Sequence, residues 1–149
     1  MALPVIDRIV VGLDGSIYSE QTLPYARAFA KAFNSELVLV TVPAVPESER
    51  YRAPSNVIQS IRSKAEINMK RFNEAVARSL REDQIEVTSL VTGTMPARTL
   101  VDISEDRNAD LIMITSQGRG GLDLLMMGSV AQSIVQMSEK PVFIVPINR

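Results

Sequence analysis

The sequence predicts an α/β fold, an open sheet of parallel strands with helices on both faces. Five short runs, most of them rich in Val and Ile and nearly continuous, read as strands covered on both sides. Segments with apolar residues at helical spacing fill the gaps between them. The resulting β-α-β-α-β-α-β-α-β order calls for parallel strands joined by right-handed crossovers.

The first run is Ile9 to Leu13. Leu23, Ala26, Ala30 and Phe33 then share one helical face, and Pro24 limits how early that helix starts, because proline is tolerated only in a first turn or at a kink. The second run is Leu37 to Val42. The segment from Pro43 to Ser55, with Pro43, Pro46 and Pro54 among mixed charges, reads as a long loop. Ile61, Ala65, Met69, Phe72, Val76 and Leu80 form the stripe of a longer helix, with Lys64, Lys70, Arg71 and Glu74 facing water. The third run, Ile85 to Val91, alternates: Ile85, Val87 and Leu90 against Glu86, Thr88 and Ser89. One wet face, as at a sheet edge, is expected there. Ala97, Leu100 and Val101 mark a helix after Pro96, the fourth run is Leu111 to Ile114, Val130, Ile134 and Met137 mark the last helix, and Val142 to Val145 is the fifth run.

A length of 149 residues suits one domain spanning 1–149. A domain of that size buries roughly 70% of its unfolded surface. The apolar fraction of 46% fits a globular chain, and a net charge of −1 with scattered signs points to neither nucleic acid nor an anionic membrane as partner. The absence of Cys and His excludes disulfides, thiolate nucleophiles, imidazole bases and the usual zinc sites. No signal-peptide pattern precedes Asp7 and Arg8, and no apolar stretch approaches the roughly 20 residues that span a bilayer, so a cytoplasmic protein without membrane contact is expected.

Open α/β sheets take ligands beyond the carboxyl ends of their strands. Gly12-Leu13-Asp14-Gly15-Ser16 follows the first strand, Val42 ends the second, and Thr115-Ser116-Gln117-Gly118-Arg119-Gly120-Gly121 follows the fourth. Gly118, Gly120 and Gly121 let the backbone approach a ligand closely. Gly128-Ser129 stands where the last helix opens, and a helix start offers free N–H groups and partial positive charge to an anion. The competing reading is structural: glycines that serve a tight loop, and Ser129 as a helix cap. Asp14 has two readings of equal weight. It is a carboxylate for a ribose hydroxyl or a nucleotide-borne Mg²⁺, or it is an Asx-turn residue at the helix entry. Arg119 is placed to pair with phosphate or to be solvated. Met126 and Met127 read as packing or subunit contact. No GxxxxGK[ST] occurs, and Gly118-Arg119-Gly120-Gly121 fails GxGxxG because position 123 is Asp, which argues against a P-loop or a Rossmann dinucleotide site.

These residues resemble the universal stress protein family over nearly the whole chain. Its nucleotide-binding branch carries G-x-x-G, nine residues, then G-[S/T]. Gly118, the nine residues from Arg119 to Met127, and Gly128-Ser129 match that spacing. Gly118 to Leu122, Leu125 to Val130, Val10 to Ser16, Lys140 to Val145 and Pro96-Ala97 also look like the family. Thr115 stands at the motif's first glycine, where a β-branched side chain is expected to crowd a ligand unless its hydroxyl turns away. The stretch Gly93-Thr94-Met95 is one residue longer than the common pattern.

The resemblance implies a Rossmann-like sheet of the adenine nucleotide alpha hydrolase-like type, with strand order 3-2-1-4-5 and two helices on each face. It implies ATP as ligand. Adenine would meet the backbone around Val42, and the ribose would lie near Gly12, Asp14 and the loop of Thr115 and Ser116. The triphosphate would run over Gly118, Arg119, Gly120 and Gly121 onto Ser129, Val130 and Ala131 beside Gly128; for a Mg²⁺ carried on it, Asp14 is the candidate ligand by the residue reading above. It also implies a homodimer through Val142, Phe143, Ile144 and Val145, and a bare apolar edge strand argues the same way.

The expected role is a nucleotide-binding module of the stress response. No catalytic residue is assigned. Without an identifiable base, slow ATP hydrolysis is the most that phosphoryl-transfer chemistry allows. The alternative is the same scaffold acting without nucleotide, through an unidentified protein partner. A phosphoacceptor receiver domain is rejected: the third strand ends in Val91-Thr92 rather than Asp, and Lys140 precedes the fifth strand instead of ending it.

Overall fold

The computed structural model describes residues 1–43, 45, 47–118 and 126–148, with the side chains of 47 and 48 left aside. Its elements, in chain order, are β1 (Arg8–Leu13), α1 (Leu23–Phe33), β2 (Glu36–Thr41), α2 (Glu47–Arg50), α3 (Ser55–Glu82), β3 (Val87–Val91), α4 (Pro96–Asp106), β4 (Leu111–Thr115), α5 (Ser129–Met137) and β5 (Val142–Val145). A short 3₁₀ turn, Ser19–Thr22, leads into α1. The strands form one parallel sheet in the order β3-β2-β1-β4-β5, as the resemblance implied. Strand order reverses at β1, between β2 and β4, and that is where the carboxyl ends splay to leave a crevice.

Strands buried on both faces explain the continuous apolar runs. Ile9, Val11, Leu37, Leu39 and Met113 point to one face, against Ala26 and Ala30 of α1 and Ala77 and Leu80 of α3. Val10, Val38, Val40, Ile112 and Ile114 point to the other, against Leu100 and Val101 of α4 and Ala131 and Ile134 of α5. Each face therefore carries two of the longer helices.

Pro24 and Pro96 sit in the first turns of α1 and α4, where the missing N–H costs no helical bond. The residues following three helices, Asn34, Gln84 and Asn108, take the left-handed conformation that turns the chain back toward the sheet. No helix among the described residues is long and apolar enough to cross a membrane.

The structure departs from the expected pattern in four places. The third strand starts at Val87 instead of Ile85 and lies at the edge of the sheet, half-exposed along most of its length. Its exposure agrees with the alternation of its residues. The Pro43 to Ser55 segment holds the one-turn helix α2, and α3 begins at Ser55 directly after Pro54. Phe33, expected on the buried face of α1, is largely exposed in the last turn and touches the ring of Phe29 at 5.7 Å. In α5 the buried line runs through Ala131 and Ile134, leaving Val130 and Met137 exposed, because the small Ala131 is what allows close approach to the sheet.

Two polar groups fasten the sheet. At the amino ends of the strands, Arg8 Nε donates to Glu36 Oε2 at 2.6 Å, and Arg8 also donates to the carbonyl of Arg107. The other Glu36 oxygen accepts from Thr88 at 2.8 Å, so one carboxylate links β1, β2 and β3. Burial opposes its charge, but hydrogen bonds from Arg8 and Thr88 and the charges of Arg8 and Arg107 hold the carboxyl below the usual Glu range. A lowered folded pKa gives stability that is present above the ordinary Glu value and is lost as pH falls through the lowered one. Glu36→Gln should therefore lose about 1 kcal/mol near neutral pH, since Arg8 is partly solvated. Its urea midpoint should converge with that of the parent in acid.

At the other end, Asn73 of α3 is fully buried. Its Oδ1 accepts from Thr41 Oγ1 at 2.8 Å and its Nδ2 donates to the carbonyl of Leu90 at 3.2 Å. It ties α3 to the carboxyl ends of β2 and β3, beside the crevice.

Candidate functional site

A cavity of about 540 Å³ opens at the carboxyl ends of β1 and β4. Its floor is formed by Gly12, Val40, Leu100 and Ile114, and one wall by Leu13, Asp14 and Ser19. Opposite are Thr115 to Gly118, and the start of α5 with Met126 and Met127 closes the ring.

Gly12 is in β1. A Cβ there would lie 3.0 Å from both Leu100 Cδ1 and Ile114 Cγ2, so the glycine lets α4 seat closely under the cavity. Asp14 builds the Asx turn that the sequence allowed: its Oδ1 accepts from the Ser16 amide at 2.8 Å and from the Ser16 hydroxyl at 2.5 Å. The turn continues through Ser19, whose hydroxyl accepts from the Asp14 amide at 3.2 Å. It also holds Asp14 against the cavity, with Oδ2 directed at Gly118. The two readings of Asp14 are thus compatible, because the turn bonds Oδ1 and Oδ2 looks toward the glycine loop.

Val42, just beyond β2, lines the cavity. Thr115 is buried at the end of β4, and its hydroxyl donates to the carbonyl of Gln117 at 2.8 Å. Its hydroxyl is thus turned into the loop backbone, the disposition under which a threonine here is accommodated, while the residue still lines the cavity. The Ser116 amide extends the β4–β5 ladder to the Val145 carbonyl at 2.8 Å, and its hydroxyl accepts weakly from the Ile147 amide at 3.4 Å.

Gly128 is the N-cap of α5. Its amide donates to the Ser116 carbonyl at 2.7 Å, and a Cβ on it would come within 3.2 Å of that oxygen. With no side chain, Gly128 leaves α5 without a side-chain cap. The first intrahelical bond comes from the Gln132 amide to the Gly128 carbonyl, so helix geometry leaves the amides of Ser129, Val130 and Ala131 without intrahelical acceptors. Those three residues line the cavity, where the positive end of the helix dipole faces the open space. Ser129 is the first residue of the helix, not its cap.

Every expected site residue that the structure describes therefore lines the one cavity: Gly12, Asp14, Val42, Thr115, Ser116, Gly118, Gly128, Ser129, Val130 and Ala131. Arg119, Gly120 and Gly121 lie outside the described residues. Sequence reasoning did not assign Leu13, Ser19, Val40, Pro96, Leu100, Ile114 or Gln117 to the site, and it gave Met126 and Met127 a different role. Met126, though 62% exposed, lines the cavity with Met127. Pro96 and Leu100 come to the site only because α4 crosses beneath the end of β1, which no single segment reveals.

Asp14 is the only carboxylate on the cavity wall among the described residues, which contain no group of three or more acidic, His or Cys side chains able to hold a metal. Mg²⁺ is commonly held by one or two carboxylates together with substrate phosphates, so the arrangement suits an ion brought in by its ligand.

The sequence profile of the universal stress protein family matches residues 6–146. The chain belongs to the universal stress protein family. Among curated universal stress proteins, Rv2005c of Mycobacterium tuberculosis is 30% identical over 136 residues, covering 91% of this chain and 44% of its own length. The chain thus spans under half the length of the curated relatives it matches first. Among solved structures, the Methanocaldococcus jannaschii universal stress protein MJ0577 superposes with a TM-score of 0.86 at 23% identity, covering 98% of this chain and 99% of that one. The Archaeoglobus fulgidus universal stress protein solved in complex with dAMP superposes with a TM-score of 0.64 at 21% identity, covering 95% and 98%. At these identities the structures bear on the fold, and they share the universal stress architecture described above.

Proposed function

We propose that this universal stress protein binds an adenine nucleotide, ATP, in the crevice between β1 and β4 and acts as a nucleotide-dependent regulatory module in the stress response. The observation that carries the reading is the uncapped amino end of α5. The amides of Ser129, Val130 and Ala131 face the same cavity as Asp14 and the glycine at 118. Such a helix start favours phosphate oxygens. The apolar portion lined by Val40, Val42, Pro96 and Leu100 suits a base, as most small-molecule sites are largely apolar with a few directed polar groups. A relative of the same fold has been solved with dAMP, an adenine nucleotide. In this reading Asp14 meets the ribose or a Mg²⁺ carried on the phosphates. The protein is a binder in which hydrolysis is slow at most, because Asp14 Oδ1 is already committed to Ser16 and no general base is assigned.

Nucleotide extracted from freshly purified protein, followed by calorimetric titration with ATP and Mg²⁺, tests this. Adenine nucleotide in the extract and saturable binding are expected. Neither appearing, even at millimolar ATP, would refute it and favour a scaffold that works through a protein partner.

We also propose a homodimer through β5. This strand pairs with β4 on one side only, whereas the other edge strand, β3, has its Val87 carbonyl met by Arg81 of α3 at 3.0 Å. Beside β5, Tyr25 is 46% exposed with its ring 5.7 Å from Phe143, and α5 exposes Val135 and Met137. Sedimentation equilibrium should give about twice the chain mass of 16.4 kDa. A persistent 16.4 kDa species at tens of micromolar would rule the dimer out.

A further inference from the structure

The family motif has a glycine where this chain has Thr115, and shape alone suggests that threonine crowds the ligand. The hydrogen bonds point elsewhere. Thr115 Oγ1 donates to the Gln117 carbonyl at 2.8 Å. The Gln117 side chain, only 4% exposed, donates from Nε2 to the carbonyl of Met126 on the far side of the loop. Two residues further, the Gly128 amide returns to the Ser116 carbonyl at 2.7 Å. From α5, Gln132 Nε2 donates to the Met127 carbonyl at 2.9 Å. Ser116 and Gln117, just after β4, are thus bonded to Gly128 and Met126, just before α5.

We propose that Thr115 and Gln117 are positioning residues, a brace that holds the end of β4 at a fixed distance from the start of α5. Thr115 sets the direction of the Gln117 peptide, and Gln117 then grips the strand–helix return at Met126. The consequence falls on Gly118 and Gly128, the glycines on either side of the grip. Gly118 is held against Asp14, and Gly128 is held so that the first-turn amides of α5 face the cavity. Flanking residues fixed in advance lose less conformational freedom when a ligand binds, which raises affinity without a new contact. On this reading Thr115 is a bracing residue rather than a defect in the motif. The effect on affinity rests on the adenine-nucleotide reading above, whereas the brace itself does not.

The two accounts of Thr115 differ in sign. If it crowds the ligand, Thr115→Gly should bind ATP more tightly. If it braces the loop, Thr115→Gly and the near-isosteric Thr115→Val should each bind about fivefold more weakly, the scale of one lost net hydrogen bond. Thr115→Ser, which keeps the hydroxyl, should restore most of the affinity, and Gln117→Ala should weaken binding by a similar factor. A second readout needs no nucleotide. In the ligand-free protein, hydrogen exchange of the Gly128 amide should speed up severalfold in Thr115→Val and Gln117→Ala, stay near the parent rate in Thr115→Ser, and change little for amides of β1. Unchanged Gly128 exchange in both variants, or tighter ATP binding by Thr115→Gly, overturns the brace. If the parent protein binds no adenine nucleotide, the functional reading fails and the exchange rates alone decide the brace.

Discussion

Replacing Asn73 with alanine is expected to destabilise the protein by about 3 kcal/mol, the largest effect expected of any single polar side chain here. Asn73 is fully buried and serves two partners from different strands, Thr41 Oγ1 and the Leu90 carbonyl. Removing it strands the buried Thr41 hydroxyl and the part-buried Leu90 carbonyl and leaves a small void as well. For a domain of this size the thermal midpoint should fall by roughly 6–12 °C. Asn73→Asp is the sharper variant. It keeps the volume but places a carboxylate beside the Leu90 carbonyl at a fully buried position. Burial raises the pKa of such a group, so the folded state holds its proton more tightly than the unfolded one, and stability should climb as pH falls. That is opposite to the dependence expected from Glu36. Thermal melts of the parent, the Ala variant and the Asp variant between pH 4 and 8 would separate these effects. An Asp variant as stable as the parent at pH 8 would mean that Asn73 is not the tie it is argued to be. Because Thr41 is followed by Val42 on the cavity wall, ligand affinity should weaken in the same variants.

Asn73 also shows where sequence reading stops. It lies between Phe72 and Val76 in a stripe that helical spacing marks as buried, and periodicity carries no instruction for a polar residue inside such a stripe. Its meaning comes from Thr41 and Leu90, 32 and 17 residues away. The same holds for Gln117: a polar residue in a glycine-rich loop looks solvated until the return of the chain at Met126 is known. The strands were legible for the opposite reason. Val10, Val38 and Ile112 are each fixed by local hydrophobicity, since a residue in a strand buried on both sides needs no knowledge of which helix covers it. Pro24 and Pro96 marked helix starts because proline fails anywhere later in a helix. The glycine spacing pointed to residues that line the cavity, Gly118 and Gly128, because close backbone approach and an uncapped helix start are local properties. The ends of α5 were harder. Choosing Ala131 over Val130 as the buried residue depends on how far the helix stands from the sheet, and on local hydrophobicity alone valine is the better candidate.

Gly118→Ala is expected to weaken ATP binding by about 30-fold or more while leaving the thermal midpoint within a few degrees of the parent. Gly118 faces Asp14 so closely that a Cβ would occupy the space of Asp14 Oδ2. An isolated carboxylate would rotate out of the way. This one is held through Oδ1 by the Ser16 amide at 2.8 Å and the Ser16 hydroxyl at 2.5 Å, so it yields only by breaking the turn that sets the Asp14 position. The methyl group therefore acts through Asp14, and a double-mutant cycle exposes the route. Asp14→Ala alone should lose most of the affinity. Adding Gly118→Ala to it should cost little more, because the group the methyl displaces is already gone. If the two losses instead multiply, the glycine is needed for its own approach to the ligand and the Asp14 contact is incidental. If Gly118→Ala binds ATP as well as the parent does, the loop after β4 does not meet the nucleotide, and the site assigned to it must lie elsewhere on the sheet.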